Sequence, residues 1–175
     1  VGSEMCIRDR DGHTSLMAAS ASYAAKKGLL VVCSAGNSGM DEWKKITPPA
    51  DAEDILTIGA IDNMGVNAAF SSIGNTADGR IKPDVMAMGV HSAVVGVDGG
   101  TAFANGTSFA SPIFCGLVAC LWQASPWLTV RQLIQVVHEA SDRNAYPDNI
   151  YGYGVTDMWK AYQLAMKLKA DTDGK

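Results

Sequence analysis

The sequence predicts a layered α/β fold with a mainly parallel sheet, and three observations carry that expectation. An alanine-rich stretch from Thr14 to Lys27 is followed at once by the apolar run Leu29-Leu-Val-Val-Cys33, the order of a helix feeding a strand covered on both faces. Two further short apolar segments, Ile55 to Ile61 and Val85 to Met88, follow behind turn-rich loops. Beyond Thr107 the hydrophobic spacing becomes helical and stays so. Helices alternating with strands belong to folds in which helices cover a parallel sheet.

The elements follow in order. Gly28 ends the first helix, since a glycine just past the last periodic residue supplies the left-handed stop. The loop from Ser34 to Ala50 holds Gly36, Asn37, Gly39, Pro48 and Pro49. A fourth strand candidate runs from His91 to Val95. Thr107 to Ala124 reads as a long apolar helix entered from a turn at Asn105-Gly106, with Pro112 in its first turns. Thr129 is the N-cap of a helix to about Ser141, with Val130, Leu133, Ile134 and Val137 on one face. A last helix follows Tyr151-Gly-Tyr-Gly154 and carries Trp159, Tyr162, Leu164 and Leu168.

Composition limits the function. The 175 residues are 47% hydrophobic and 18% charged, with a net charge of −4, ordinary values for one globular domain. There is no Lys/Arg stripe to track phosphates, which argues against nucleic acid as a partner. No apolar run is expected to reach the roughly 18 to 20 residues of a membrane span. Of the cysteines, Cys33, Cys115 and Cys120 lie in apolar surroundings without metal-ligand spacing and are expected to be buried free thiols. No acidic cluster marks a calcium loop, so neither a metal nor a cofactor is expected in this chain.

Residues 1–10, Val-Gly-Ser-Glu-Met-Cys-Ile-Arg-Asp-Arg, fit no signal peptide, helix or strand pattern. They resemble a translated sequencing adapter, which makes them non-native in expectation. The domain is then expected over 11–170, with 171–175 a tail or the start of a linker.

Two loops carry the chemistry. Asn105-Gly-Thr-Ser-Phe-Ala-Ser-Pro112 sets Ser108 where a glycine turn meets the start of a helix. A hydroxyl there lies among unpaired backbone N–H groups and the positive end of the helix dipole, which favour an oxyanion. Thr107 or Ser108 as a plain N-cap is the alternative. Ala35-Gly-Asn-Ser-Gly39 directly follows a strand, where α/β sheets present functional loops. Asn37 can donate its amide to a developing oxyanion, or serve only as a turn residue.

Together these segments resemble the subtilisin family. Asn105 to Pro112 is similar to its nucleophile motif and Ala35 to Gly39 to its oxyanion loop. Pro49-Ala50 before Ile55, Lys82-Pro-Asp-Val-Met-Ala87, and Tyr151-Gly-Tyr-Gly154 with Asp157 and Ala161 resemble further segments of the same catalytic domain, in the same order. Phe109 and Met88 stand where many relatives carry methionine and proline.

The resemblance implies a three-layer subtilisin-like fold, incomplete at its amino-terminal side, and a serine endopeptidase acting on polypeptides. It implies that Ser108 attacks the scissile carbonyl, that Asn37 and the Ser108 N–H hold the oxyanion, and that Ala35 and Gly36 wall the primary specificity pocket. Asn105, Gly106 and Thr107 would shape the same substrate site. It also implies an extracellular or cell-envelope setting, and calcium for the full-length protein.

The triad's Asp and His would lie upstream of the oxyanion loop. His13, His91 and His138 read as surface or structural residues, so the chain by itself is expected to be inactive. A non-catalytic subtilisin-like scaffold is the alternative. The serine-carboxyl peptidases, which place an aspartate at the oxyanion position, are disfavoured by Asn37.

Overall fold

The computed structural model describes residues 10–173. Its elements are α1 (Leu16–Lys26), β1 (Val32–Ser34), β2 (Leu56–Ile61), β3 (Val85–Met88), β4 (Ser92–Val95), β5 (Thr101–Ala104), α2 (Thr107–Ala124), α3 (Val130–Ala140) and α4 (Met158–Asp173). Strands β1, β2 and β3 pair in parallel in that order, with Cys33 beside Thr57 and Ile58 beside Val85. Strands β4 and β5 form a separate antiparallel hairpin.

Strand alternation sorts the helices into layers, because successive side chains leave a strand on opposite faces. Val32, Leu56, Ile58, Ala60, Val85 and Ala87 enter the main core with α2, α3 and α4. Val31, Cys33 and Ile55 instead pack with Ala18, Ala21 and Ala25 of α1. Helix α1 therefore covers one face of the sheet and α2 the other, the α/β layering the sequence predicts.

Local chemistry explains the boundaries. At the end of α1, Gly28 takes φ +91°, its N–H bonds Ala25 O at 3.0 Å, and the Leu29 N–H bonds Ala24 O at 3.1 Å, the paired closure of a Schellman motif. Helix α3 opens on a capping box: the Thr129 hydroxyl accepts from the Gln132 N–H, and the Gln132 side chain accepts from the Thr129 N–H at 3.0 Å. Thr129→Ala is expected to cost about 1 kcal/mol, lowering the melting temperature by roughly 2–4 °C. Differential scanning calorimetry measures that shift.

Several expectations need correction, and one strand is not anticipated from the sequence. β1 is half-buried rather than buried, although helices lie on both its faces, because it pairs only with β2 and its other edge is open; β2, paired on both sides, is buried throughout. Cys115 and Cys120 are exposed and Cys33 is half-buried. The inward side of α2 carries Thr107, Ala110, Phe114, Val118 and Leu121, and both cysteines fall off that stripe. His91 is not in a strand: it takes φ +54° just ahead of β4. The strand Thr101–Ala104 has no counterpart in the sequence reading; it returns from a turn at Asp98-Gly99-Gly100 to pair with β4.

Among the described residues α2 is the one helix long and apolar enough to cross a membrane, although no run of that length is anticipated from the sequence. It packs along all three strands of the parallel sheet with one face, carrying Ala110, Phe114, Val118 and Leu121 inward, and leaves the opposite face exposed. α4 turns Ala161 and Ala165 inward and leaves Trp159 exposed. Of the segment 1–10 only Arg10 is among the described residues; it is buried, donates from Nη1 to Asn75 O at 3.0 Å and lies over the Trp43 ring.

Candidate active site

Both candidate loops lie at the carboxyl edge of the parallel sheet. β1 ends at Ser34, and the Ala35 N–H still bonds Ile58 O at 2.9 Å, so the pairing aims the next residues past the sheet edge. Ala35 is buried against Ile46 and Ala50. Gly36 then turns at φ +101°, a left-handed geometry that favours glycine. A Cβ at Gly36 would lie 2.9 Å from Ser72 Oγ. The Gly36 carbonyl accepts from the Ser72 N–H, and the Ser38 N–H donates to Ser72 Oγ, so Ser72 clamps the loop from both sides of Asn37.

The second loop descends from the hairpin. Asn105 Oδ1 accepts the His91 N–H at 2.7 Å, which ties the end of β5 to the start of β4. Gly106 follows at φ +155°, its N–H donating to Gly89 O at 2.8 Å. Thr107 and Ser108 open helix α2. Thr107 is fully buried, whereas Ser108 and Asn37 are exposed.

Thr107 joins the loops. Its N–H and its hydroxyl both donate to Asn37 Oδ1 at 2.9 Å, and the same hydroxyl accepts the Gly36 N–H at 3.2 Å. Two donors on the carbonyl oxygen set the orientation of the Asn37 carboxamide and leave its NH₂ to donate elsewhere. That nitrogen lies on the Gly106 side, 3.5 Å from where a Gly106 Cβ would stand. Ser108 is the second residue of α2, so its backbone N–H is among those without an acceptor inside the helix. The arrangement offers two donors beside one exposed hydroxyl, which is the donor set an oxyanion requires.

Among the described residues, none hydrogen-bonds the Ser108 hydroxyl. His13 faces Glu53 at 3.3 Å, ahead of β2, at the opposite edge of the parallel sheet. His138 bonds Asp84 Oδ1 at 3.1 Å, ahead of β3 at that same far edge. Its ring stacks on Tyr153, so the histidine read as structural or solvated is a partner in a buried network. His91 lies at the site end, but its ring stacks flat on Phe103 with centroids 4.1 Å apart. The thiol of Cys33 is pushed above its ordinary range by burial, which leaves it unsuited to nucleophilic work.

Ser72 and Gly89 are the residues that sequence reasoning missed. Each acts through a contact made far along the chain, and neither stands in a motif. A cleft of about 410 Å³ is lined by Lys82, Asp84, Ile134, His138 and Tyr153 among others. It opens at the far edge, away from Ser108.

Comparison with known proteins agrees with this fold. The model of the Subtilase family matches residues 2–154. Serine protease AprX of Bacillus subtilis (strain 168) is 33% identical over 154 residues, covering 74% of this chain and 34% of that protein. The mouse membrane-bound transcription factor site-1 protease is 32% identical over 154 residues, covering 81% of this chain and 14% of that protein. The self-cleaved protease domain of PatA superposes with a TM-score of 0.70 at 25% identity, over 86% of this chain and 54% of that one. The chain thus spans about a third of AprX and about half of the PatA domain. With the family model matching residues 2–154 and the layered parallel-sheet fold superposing on that protease domain, the chain belongs to the subtilase family.

Proposed function

We propose that this chain is the nucleophile-bearing part of a serine endopeptidase domain that cleaves peptide bonds in polypeptides. The observation that carries the reading is the double anchoring of Asn37 Oδ1 by Thr107, which turns the carboxamide NH₂ toward the turn that presents Ser108. In this reading Ser108 Oγ attacks the scissile carbonyl. The carbonyl oxygen gains charge and accepts from Asn37 Nδ2 and the Ser108 N–H. Asn105, Gly106 and Thr107 hold those groups in place, and Ala35 with Gly36 gives the substrate a wall with little side chain.

A serine hydroxyl needs a base to take its proton and a carboxylate to orient that base. The three histidines of the chain are engaged elsewhere, as described above. The base and its carboxylate are therefore assigned to sequence outside this chain, in keeping with the greater length of its relatives. An extracellular or cell-envelope setting belongs to the same proposal and rests on family resemblance.

A fluorophosphonate probe tests the reading. The 175-residue chain is expected to remain unlabelled, while a longer protein carrying the same segment is labelled at Ser108. Labelling of the chain alone at the rate of an intact protease would contradict the assignment of the base. An unlabelled longer protein would instead support a non-catalytic scaffold.

A further inference from the structure

The far edge of the sheet brings together three side chains that no sequence motif unites. Nε2 of His13, ahead of α1, lies 3.3 Å from Glu53 Oε1, ahead of β2. Asp78, from the loop before β3, completes a group in which one potential ligand atom from each residue lies within 4.8 Å of the others. We propose that His13, Glu53 and Asp78 form a binding site for a zinc-class divalent cation, independent of the peptidase reading.

The donor set decides the class of metal. Calcium takes six to eight oxygen ligands, and one imidazole with two carboxylates does not match it. One nitrogen and two carboxylate oxygens are ordinary zinc ligands and leave a fourth tetrahedral position for water. The two carboxylates outnumber the one guanidinium paired with them, that of Arg80 on Asp78, so negative charge is left over to attract a dication.

The ligand segments are held by bonds to groups outside the three ligands. The Asp11 carboxylate accepts the His13 N–H at 2.8 Å, and Arg80 Nη2 donates to Asp11 O at 3.1 Å. Arg80 Nε donates to one oxygen of Asp78 at 2.7 Å. The Glu53 N–H donates to Ser22 Oγ of α1 at 2.9 Å. Arg80 thus steadies two of the three ligand segments, and α1 steadies the third. Such outer contacts orient first-sphere ligands and raise metal affinity. A bound cation would pin the start of α1 to the loops that precede β2 and β3, so its effect is read in stability.

The test uses the full chain, freed of metal with a chelator and titrated with zinc chloride. Calorimetry is expected to show one zinc per chain. At a hundredfold excess over Kd the melting temperature rises by about 5–10 °C, whereas calcium or magnesium leaves it unchanged. His13→Ala and Asp78→Asn each abolish the rise. His91→Ala and the double variant Cys115→Ser/Cys120→Ser retain it, which separates this site from an exposed histidine or thiols elsewhere. Cobalt in place of zinc should give visible bands without thiolate charge transfer. A melting temperature insensitive to zinc, a rise that survives His13→Ala, or one lost with the two cysteines overturns the site.

Discussion

Asn37→Ala, introduced into a longer protein that contains this segment, is expected to lower kcat by about 10²–10³ with little change in KM. The magnitude is taken over from an oxyanion asparagine in another subtilase; its assignment to Asn37 rests on geometry. The carboxamide gives up its carbonyl oxygen to two bonds from Thr107, so in the proposed function its free donors serve charge that appears only as the carbonyl is attacked. A group that strengthens its bond in the transition state shows in kcat, while one that binds substrate and transition state alike shows in KM. Thr107→Val should lower kcat by a smaller factor, because one bond to Oδ1 survives and the carboxamide keeps part of its orientation. Steady-state kinetics on peptide substrates settles the matter. An Asn37→Ala enzyme that loses affinity but keeps its turnover would remove Asn37 from the oxyanion role.

Asp84→Ala is expected to have the largest effect on stability, at about 3–5 kcal/mol. The Asp84 carboxylate is buried, accepts from Lys82 Nζ and from the Thr57 N–H, and meets His138 Nε2 at 3.1 Å. Among the described residues Lys82, itself buried, has Ile55 O at 3.2 Å as the one other partner of its ammonium. Removing Asp84 would strand that cation in the interior. The double variant Lys82→Met/Asp84→Leu should recover much of the loss, since it removes both charges and keeps the volume. Urea unfolding of the three proteins measures both effects, and a single variant no less stable than the double would contradict the account.

The same carboxylate sets an acid limit. Burial alone pushes the Asp84 carboxyl up, but the charges and hydrogen bonds of Lys82 and His138 outweigh it and hold it at about 2, below its ordinary 3.8. A folded-state value below the unfolded one means a stabilisation that is full above the unfolded value and lost as the pH falls toward 2. The contribution is about 2–3 kcal/mol. Unfolding free energy should therefore decline between about pH 5 and pH 2, and more shallowly in Lys82→Met/Asp84→Leu than in the parent chain.

The sequence by itself determined the elements whose signals are local. Gly28 closes α1, Thr129 opens α3, and the apolar runs at β2 and β3 coincide with strands to within a residue. Capping, glycine stops and burial periodicity act within a few residues, so a linear reading finds them. It also placed Ser108 at a helix start and Asn37 in the loop just beyond a strand end.

Tertiary structure decided the rest, because it depends on neighbours remote in sequence. Pairing with a single neighbour left β1 at a sheet edge, and packing on one side only left Cys115 and Cys120 exposed. Hairpin pairing made a strand of Thr101–Ala104, which has little apolar pattern of its own. The orientation of Asn37 comes from a bond to Thr107 some 70 residues away. His138 met Asp84, and His13 met Glu53 and Asp78, by the same long-range folding. Spacing along the chain records which groups are present; only the fold sets which donor faces which acceptor, and at what distance.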